Sequence, residues 1–342
     1  MSIFSFKSKG SAYLAKDLDQ IAIDSFKPSY IWPSEYIPFR KYYESKNCRI
    51  FIIENLTHNW NWLKDYSQYF RETDFFYVSL GWYHTEFHLQ EMSKIFSILG
   101  LNRKNFIFMF NDFHDQGLFT QHGFNGELIN QNCFIDENIF QIRFEDKSYN
   151  AIYTSRIRPF KRHYLASKVA RLALVVGQAW EVESSREDLP ENVYINTSVL
   201  TPTEVSIQVS KSKVGLILSE MEGACYSSSE YLLLGIPVVS TWSKGGREVW
   251  YNDYNSIVCN PNEDEVAEAV TKMCQRNIDS TVIRGGHLSL ARKFRNKFIE
   301  SIDNTLVECG DRKIGQAYFK KNFINKNFIK QIPKFQELFP AN

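Results

Sequence analysis

The feature that most constrains the fold is an alternation of apolar runs and breaks in the second half of the chain. Residues 214–218 form an apolar run of strand length, and residues 224–234 carry a helical pattern. Gly235 stands where a helix end favours a left-handed residue, and Pro237 prevents the helix from continuing. Residues 238–241 are mostly β-branched and predict a second buried parallel strand. The β-α-β order predicts an α/β protein.

Ligands of such folds bind beyond the carboxyl ends of the strands, which places the expected site at residues 219–225 and 243–247. Glu222 precedes the predicted helix and Glu230 lies inside it. At the helical rise their separation is roughly 12 Å, similar to the distance between two sugars joined through a diphosphate. The amides of residues 223–225 lie between them, at a helix N-terminus that stabilises anions. The spacing therefore suits a sugar nucleotide.

The two glutamates and residues 235–239 (Gly-Ile-Pro-Val-Val) resemble the donor-binding signature of retaining GT-B glycosyltransferases of family 4, within the glycosyl transferases group 1. Residues 245–248 (Gly-Gly-Arg-Glu) and 255–258 (Asn-Ser-Ile-Val) are similar to a downstream region of that family. The resemblance implies two Rossmann-like domains facing across a cleft, with a C-terminal helix crossing back to the N-terminal domain. It also implies transfer of a hexose from a UDP- or GDP-sugar to a glycan or glycolipid acceptor.

Length and composition limit the classes of protein to which the chain can belong. The chain has 342 residues, enough for two domains, and a net charge of +1 that gives no reason to expect a nucleic acid partner. Six cysteines without metal-ligand spacing predict reduced thiols in a cytoplasmic protein. The sequence shows neither a signal-peptide pattern nor an apolar stretch long enough to span a bilayer. A peripheral position at the inner membrane face remains an alternative.

The predicted domain boundary lies near Asp146. Residues 1–145 are expected to form the N-terminal, acceptor-side domain, and residues 146–310 the C-terminal donor domain. Residues 311–342 combine many basic and aromatic residues, and we expect them to pack as helices on the N-terminal domain. A basic aromatic face for an anionic membrane or glycolipid is the second interpretation. The family carries a glycine-rich loop after its first strand, whereas residues 54–58 contain no glycine, so no contact is carried over from this half.

A basic pair follows the strand predicted at residues 151–154. Arg156 and Lys161 match the basic pair that holds the donor diphosphate in the family, with Ser155 standing where glycine is usual. A sugar leaves a nucleotide diphosphate only if the growing phosphate charge is neutralised, and fixed cations with a helix N-terminus can do this without a metal. No cofactor or metal is therefore expected.

Roles follow from this arrangement. Glu230 should accept hydrogen bonds from the ribose hydroxyls, and Glu222 should face the transferred sugar. The resemblance implies front-face displacement, in which the leaving phosphate helps to deprotonate the acceptor. A histidine often assists in the family; His84, His114 and His122 are candidates, and we prefer His122 because it follows the strand predicted at residues 105–110. The predicted catalytic residues are Glu222, Arg156, Lys161 and His122, and the predicted donor-binding residues are Glu230, Gly223, Ala224, Cys225, Gly245 and Gly246.

Two other functions fit the same fold. A sugar-nucleotide epimerase or a phosphorylase would bind a similar donor but perform no acceptor-dependent transfer. A non-catalytic nucleotide-sugar binding protein would bind the donor without turnover. Transfer to modified DNA bases is also compatible with the fold, although the near-neutral charge gives it little support.

Overall fold

The computed structural model describes residues 39–54, 56–177 and 189–323. Contacts divide the chain into two units, one made of Met1–Ile129 with Lys297–Asn342 and the other of Asn130–Asn296. Each unit is built around a largely or wholly parallel β-sheet. The predicted α/β class with two Rossmann-like bodies is confirmed.

The first unit contains a five-stranded sheet in the order β1-β2-β3-β4-β5. Only β1 is antiparallel to its neighbour, and the remaining strands run parallel. Its strands are β1 Phe39–Glu44, β2 Arg49–Glu54, β3 Asp74–Ser79, β4 Phe106–Phe110 and β5 Asn125–Leu128, with helices α1 Trp60–Tyr66, α2 Glu86–Ile98 and α3 Phe113–Gln121.

Aromatic rings fill one face of this sheet. Phe76 lies between Phe51 and Phe106, with ring centroids 5.4 and 4.6 Å apart in stacked arrangements. The amino ends of β2 and β3 are joined by the buried Arg49 and Asp74, whose guanidinium and carboxylate make two hydrogen bonds of 2.7 and 2.5 Å. The many phenylalanines of the sequence thus serve this core.

The second unit contains a parallel sheet in the order β11-β10-β9-β6-β7-β8. The predicted β-α-β element is present at its centre, and Gly235 ends the helix with the expected positive φ of 72°. The elements are β6 Tyr149–Ser155, β7 Leu172–Val176, β8 Tyr194–Ile195, α4 Pro202–Ser210, β9 Ser212–Ile217, α5 Tyr226–Leu233, β10 Val238–Thr241, β11 Ser256–Cys259 and α6 Glu263–Gln275.

A 29-residue helix, α7 Ser280–Glu308, passes from one unit to the other in the chain, since the second unit ends at Asn296. The shorter α8, Gly315–Asn322, follows it in the first unit. The sequence analysis placed the boundaries near Asp146 and residue 311, later than this division in both places. Of the predicted tail at 311–342, residues 324–342 lie outside the described part of the chain.

The segment after Ile129 belongs to the second unit because its side chains bond to loops of that unit. Asn132 donates to the carbonyl oxygens of Ala224 and Cys225, at 2.8 and 3.0 Å. Asn130 donates to the carbonyl oxygen of Gly246 at 2.8 Å. Among the helices of the described ranges, none is long and apolar enough to cross a membrane.

Candidate active site

The loop at residues 219–225, called here the glutamate loop, connects β9 to α5 at the carboxyl edge of the second sheet. Helix α5 begins at Tyr226 rather than Ala224 because Cys225 adopts a left-handed conformation with φ 57°. The backbone amides of Gly223, Ala224 and Cys225 donate to no acceptor in the described ranges. These amides thus lie in the loop before the helix and not in its first turn, and free loop amides can bind anionic oxygens. Their predicted role with the donor phosphates stays a prediction.

A second loop, residues 243–247, holds the glutamate loop in place and is called here the glycine loop. Glu222 donates its amide to the carbonyl oxygen of Lys244 at 3.0 Å, and Gly246 donates to that of Gly223 at 2.8 Å. Gly245 has a φ of 121°, and a β-carbon there would lie 2.0 Å from the carbonyl oxygen of Glu222. Only glycine fits at this close approach.

Replacement of Gly245 by alanine is therefore expected to lower the free energy of unfolding by about 2–4 kcal/mol and to weaken nucleotide-sugar binding. The reason is both the disfavoured φ and the collision with the Glu222 carbonyl. Gly285→Ala is the matched control, since that glycine lies in α7 with nothing within 4 Å of a β-carbon. The measurements are chemical denaturation and ligand-induced shifts in Tm. Equal effects of the two substitutions would contradict the expectation.

Arg247, also in the glycine loop, is a site residue that the sequence analysis missed. Its guanidinium is 1% exposed and donates to Ser219 Oγ at 2.6 Å and to the Thr241 carbonyl oxygen at 2.7 Å. These bonds tie the carboxyl ends of β9 and β10 together beneath the glutamate loop. The paired glycines of the Gly-Gly-Arg-Glu run drew attention to this loop. The burial of its arginine could not be predicted, because a single buried arginine produces no periodic pattern in the sequence.

Lys161 and Glu222, both predicted catalytic residues, meet directly. Lys161 ends a short 3₁₀ turn, Pro159–Lys161, that follows β6, and its Nζ lies 2.6 Å from Glu222 Oε1. Ser219 Oγ also donates to this oxygen. Burial opposes ionisation of Glu222, yet Lys161, Ser219 and Arg247 outweigh it and hold the carboxyl pKa below its usual value. Glu222 is therefore ionised at neutral pH.

Arg156 lies directly after β6, which is a neighbour of β9 in the sheet, so it belongs to the same carboxyl edge. Its side chain is exposed and has no hydrogen-bond or ion-pair partner within the described ranges. A further cation at this edge, Arg162, was not predicted. Its Nε donates to the Leu218 carbonyl oxygen at 2.7 Å and its Nη2 to Thr241 Oγ1 at 2.8 Å.

Glu230 projects from the middle of α5, eight residues after Glu222. Its carboxyl group has no hydrogen-bond partner in the described part of the chain, and burial raises its pKa to about 7. Such a group is prepared to accept hydrogen bonds from a ligand, which fits the predicted role with ribose hydroxyls. Glu230 lies along α5, whereas the other residues predicted for the donor lie at the carboxyl edge of the second sheet: Arg156, Lys161, Glu222, Gly223, Ala224, Cys225, Gly245 and Gly246.

The reason given for preferring His122 is wrong. His122 caps the C-terminus of α3, and its carbonyl oxygen accepts a hydrogen bond from Arg103, which precedes β4. Its backbone therefore lies beside the amino end of β4, because α3 runs back along the sheet, and its ring bonds to Glu86. The two other candidates do follow strand ends: His84 comes after β3, with Nδ1 3.2 Å from Asp115 Oδ2, and His114 lies in the first turn of α3.

Comparison with known proteins defines the class. Residues 134–284 match the family described as Glycosyl transferases group 1. The fold is similar to that of Anabaena Alr3699/HepE in complex with UDP (TM-score 0.55, 12% identity, 84% of this chain and 82% of that chain). A glycosyltransferase from Rickettsia africae gives a TM-score of 0.54 at 13% identity, over 75% of this chain and 76% of that chain. A search of curated proteins found no significant match.

These findings, together with the two parallel-sheet bodies, identify the protein as a GT-B glycosyltransferase. More particularly, residues 134–284, the part that matches Glycosyl transferases group 1, contain both loops and the basic pair described above.

Proposed function

We propose that the protein transfers a hexose from a UDP- or GDP-sugar to a hydroxyl of a glycan or glycolipid, with retention of configuration and without a metal. The observation that carries the proposal is the set of three amides of the glutamate loop, directly before α5, that donate to no acceptor among the described residues. Beside them lie the Lys161–Glu222 ion pair and Glu230, whose carboxyl has no partner within the same ranges. The amides would bind a diphosphate, and the two carboxylates would bind the sugar rings on either side of it.

The charges support departure of a diphosphate. Lys161 and Arg156 supply cations at the carboxyl edge, and the α5 N-terminus adds a partial positive charge. In a site of low dielectric such fixed groups stabilise the charge that develops on the leaving phosphate. The leaving phosphate then accepts the proton of the attacking hydroxyl, so the anomeric carbon exchanges one oxygen for another on the same face.

Glu222 is better placed to hold the transferred sugar than to attack it. Its Oε1 accepts hydrogen bonds from Lys161 and Ser219, whereas Oε2 accepts none from the described residues. A carboxylate held in this way keeps its charge and offers one oxygen to a sugar hydroxyl or to the positive charge at the anomeric carbon. This supports front-face displacement over a covalent glycosyl-enzyme.

A donor screen tests the proposal. UDP-hexoses come first, because the similar HepE structure holds UDP, and GDP-hexoses follow. A true donor at a hundred times its Kd should stabilise the folded protein by about 2.7 kcal/mol, read as a rise in Tm. EDTA should leave this rise and the rate of transfer unchanged. A panel in which no nucleotide sugar raises Tm would refute the proposal.

Analysis of the products distinguishes glycosyl transfer from the other candidate functions, which are epimerisation, phosphorolysis and binding without turnover. Transfer predicts a new glycoside of retained anomeric configuration, formed only when an acceptor is present. An epimerase would convert the donor sugar without an acceptor, and a phosphorylase would require inorganic phosphate. A binding protein would raise its Tm with the donor and release no nucleotide.

A further inference from the structure

The two cations predicted to hold the donor diphosphate share one loop, residues 155–163, called here the basic loop. Its first residue, Ser155, ends β6, and its last residue, His163, begins a second short 3₁₀ turn. Ser155 Oγ lies 2.8 Å from His163 Nε2, so a hydrogen bond joins the two ends of the loop. Glycine is usual at position 155 in the family that the sequence resembles, and glycine has no side chain that could make this bond.

This hydrogen bond is buried. Ser155 is 9% exposed and His163 is 2% exposed. The His163 ring also packs against Tyr153 of β6, with ring centroids 4.9 Å apart, and the Tyr153 hydroxyl donates to the carbonyl oxygen of Lys161 at 2.7 Å. The three side chains therefore form a buried support for the turn that carries Lys161.

The basic loop is also joined to the glutamate loop. The amide of Glu220 donates to the carbonyl oxygen of Phe160 at 2.9 Å, and Lys161 Nζ lies 2.6 Å from Glu222 Oε1. These contacts hold the basic loop from the side of the glutamate loop, whereas the bond between Ser155 and His163 holds it from the protein core. The position of the Lys161 ammonium depends on both sets of contacts.

His163 provides its support without adding a charge. Burial and the nearby Lys161 lower the pKa of His163 to about 4, so its ring is neutral at pH 7. The Nε2 atom of a neutral ring either accepts or donates one hydrogen bond, according to the tautomer, and the Ser155 hydroxyl fits both. The pair can therefore hold the loop without competing with Lys161 for an anion.

Accurate placement of these cations matters for the proposed reaction. A lysine side chain is flexible, and groups that stabilise charge on a leaving phosphate act best when they need no rearrangement during the reaction. A displacement of about 1 Å in such a group can lower a rate by about 10²-fold. A loop that is held at both of its ends limits this displacement.

We propose that the hydrogen bond between Ser155 and His163 positions Lys161 and Arg156 for the donor diphosphate. Ser155 and His163 are thus positioning residues for the transfer. The proposal rests on the function proposed above and adds two residues to it. Neither residue needs to touch the donor, because both act through the basic loop.

Replacement of Ser155 by alanine tests the positioning role, since it removes the hydroxyl and leaves the backbone of β6 unchanged. We expect kcat at saturating donor to fall about tenfold and the KM of the donor to change less than about threefold. The reason is that misplaced cations stabilise the leaving phosphate less well, whereas the donor is still bound by the other residues of the site. A kcat of Ser155→Ala within twofold of the wild type would overturn the proposal.

Ser206→Ala is the matched control for this substitution. Ser206 lies in α4, outside the basic loop, and its buried hydroxyl donates to the Ile139 carbonyl oxygen and accepts a bond from Arg143. Its replacement should lower Tm by about 2–4 °C, at least as far as Ser155→Ala does, and leave kcat within twofold of the wild type. An equal loss of kcat in the two variants would attribute the effect to stability alone and contradict a positioning role.

Substitutions of His163 separate the hydrogen bond from the packing of the ring. His163→Leu cannot bond to Ser155, so its kcat should fall as in Ser155→Ala. His163→Gln supplies an amide in place of Nε2 and should keep kcat within threefold of the wild type. The losses from Ser155→Ala and His163→Leu should not add in the double variant, because each removes the same bond. Additive losses, or equal losses in His163→Leu and His163→Gln, would refute the assignment.

Chemical labelling of Lys161 gives a readout that does not depend on turnover. Lys161 is buried and paired with Glu222, so a low concentration of acetic anhydride should modify it slowly. We expect Ser155→Ala to raise the rate of this modification by about threefold or more, measured by mass spectrometry, because the loop opens more often. The exposed Lys168 serves as the internal reference and should react at an unchanged rate. An unchanged rate at Lys161 would also overturn the proposal.

These experiments distinguish failure of this proposal from failure of the proposed function. If the wild type binds a nucleotide sugar and transfers the hexose, but Ser155→Ala keeps its kcat, the positioning assignment fails and the transferase function stands. If the wild type neither binds nor transfers, the proposed function fails, and the labelling of Lys161 still decides whether Ser155 and His163 hold this loop in place.

Discussion

Replacement of Glu230 by alanine is expected to weaken binding of the nucleotide sugar by about 10²–10⁴-fold. A carboxylate that accepts hydrogen bonds from two ribose hydroxyls makes two charge-assisted bonds, each worth about 1.5–3 kcal/mol. In the protein without ligand this carboxyl has no partner among the described residues. The substitution should therefore leave the fold intact. The whole effect should appear as a rise in the Kd of the nucleotide sugar, measured by calorimetry.

The pH dependence of binding gives an independent signature of Glu230. Burial raises its pKa to about 7, so the carboxyl is largely protonated at pH 6 and ionised at pH 8. Donor affinity should therefore fall as the pH drops through about 7. The effect on stability has the opposite sign: because the folded state holds this proton more tightly than the unfolded chain, stability decreases as the pH rises from about 4.5 to 7.

The matched control is Glu268→Ala, which removes an exposed carboxylate of α6 that pairs with Lys272. Its donor affinity and pH profile should equal those of the wild type. Donor affinity in Glu230→Ala within twofold of the wild type would remove this glutamate from the site.

Replacement of Lys161 by methionine is expected to lower kcat by about 10²–10³-fold, the effect of removing one fixed group that stabilises charge in a transition state. The substitution also leaves Glu222 without its principal partner, so the pKa of that carboxyl should rise. Steady-state kinetics with a saturating donor measures the first effect. The pH–rate profile should show the second as a new loss of activity on the acid side.

A double-mutant cycle separates these two roles of Lys161. Because Lys161 and Glu222 are in direct contact, the losses from Lys161→Met and Glu222→Gln should not add in the double variant. Lys168→Met is the control, since that lysine is exposed and pairs with Asp264. Full activity in Lys161→Met would contradict a role in neutralising the leaving group.

The sequence predicts the structure best where local helix and strand signals agree with the tertiary fold. Strand β10 lies at Val238–Thr241 as predicted, because β-branched residues follow a helix stop formed by Gly235 and Pro237. Helix α6 begins at Glu263 because Asn262, a residue type that favours the N-cap position, accepts a side-chain hydrogen bond from the amide of Glu265. The glutamate loop and the glycine loop could be found from the same pattern, since their residues are close together in sequence.

Contacts between distant residues could not be read in this way. Two features depend on tertiary packing and produce no periodic pattern in the sequence. They are the buried guanidinium of Arg247 and the hydrogen bonds of Arg162 to the ends of β9 and β10. The left-handed conformation of Cys225 was missed because glycine or asparagine is the usual residue there. His122 was misjudged because a helix of unrecognised length separates it from its strand.

Helix α7 determines when each unit can be completed during synthesis. The hydroxyl of Tyr77 in β3 bonds to Ser301 and Thr305, and its ring contacts Phe298, all in the C-terminal half of that helix. The second unit is contiguous from Asn130 to Asn296, so all of its residues leave the ribosome earlier than the last residues of the first unit, which resumes at Lys297. The sheet of the first unit must wait, with one face incomplete, until residue 305 has been synthesised, and a nascent chain stalled before residue 297 should present that face to chaperones.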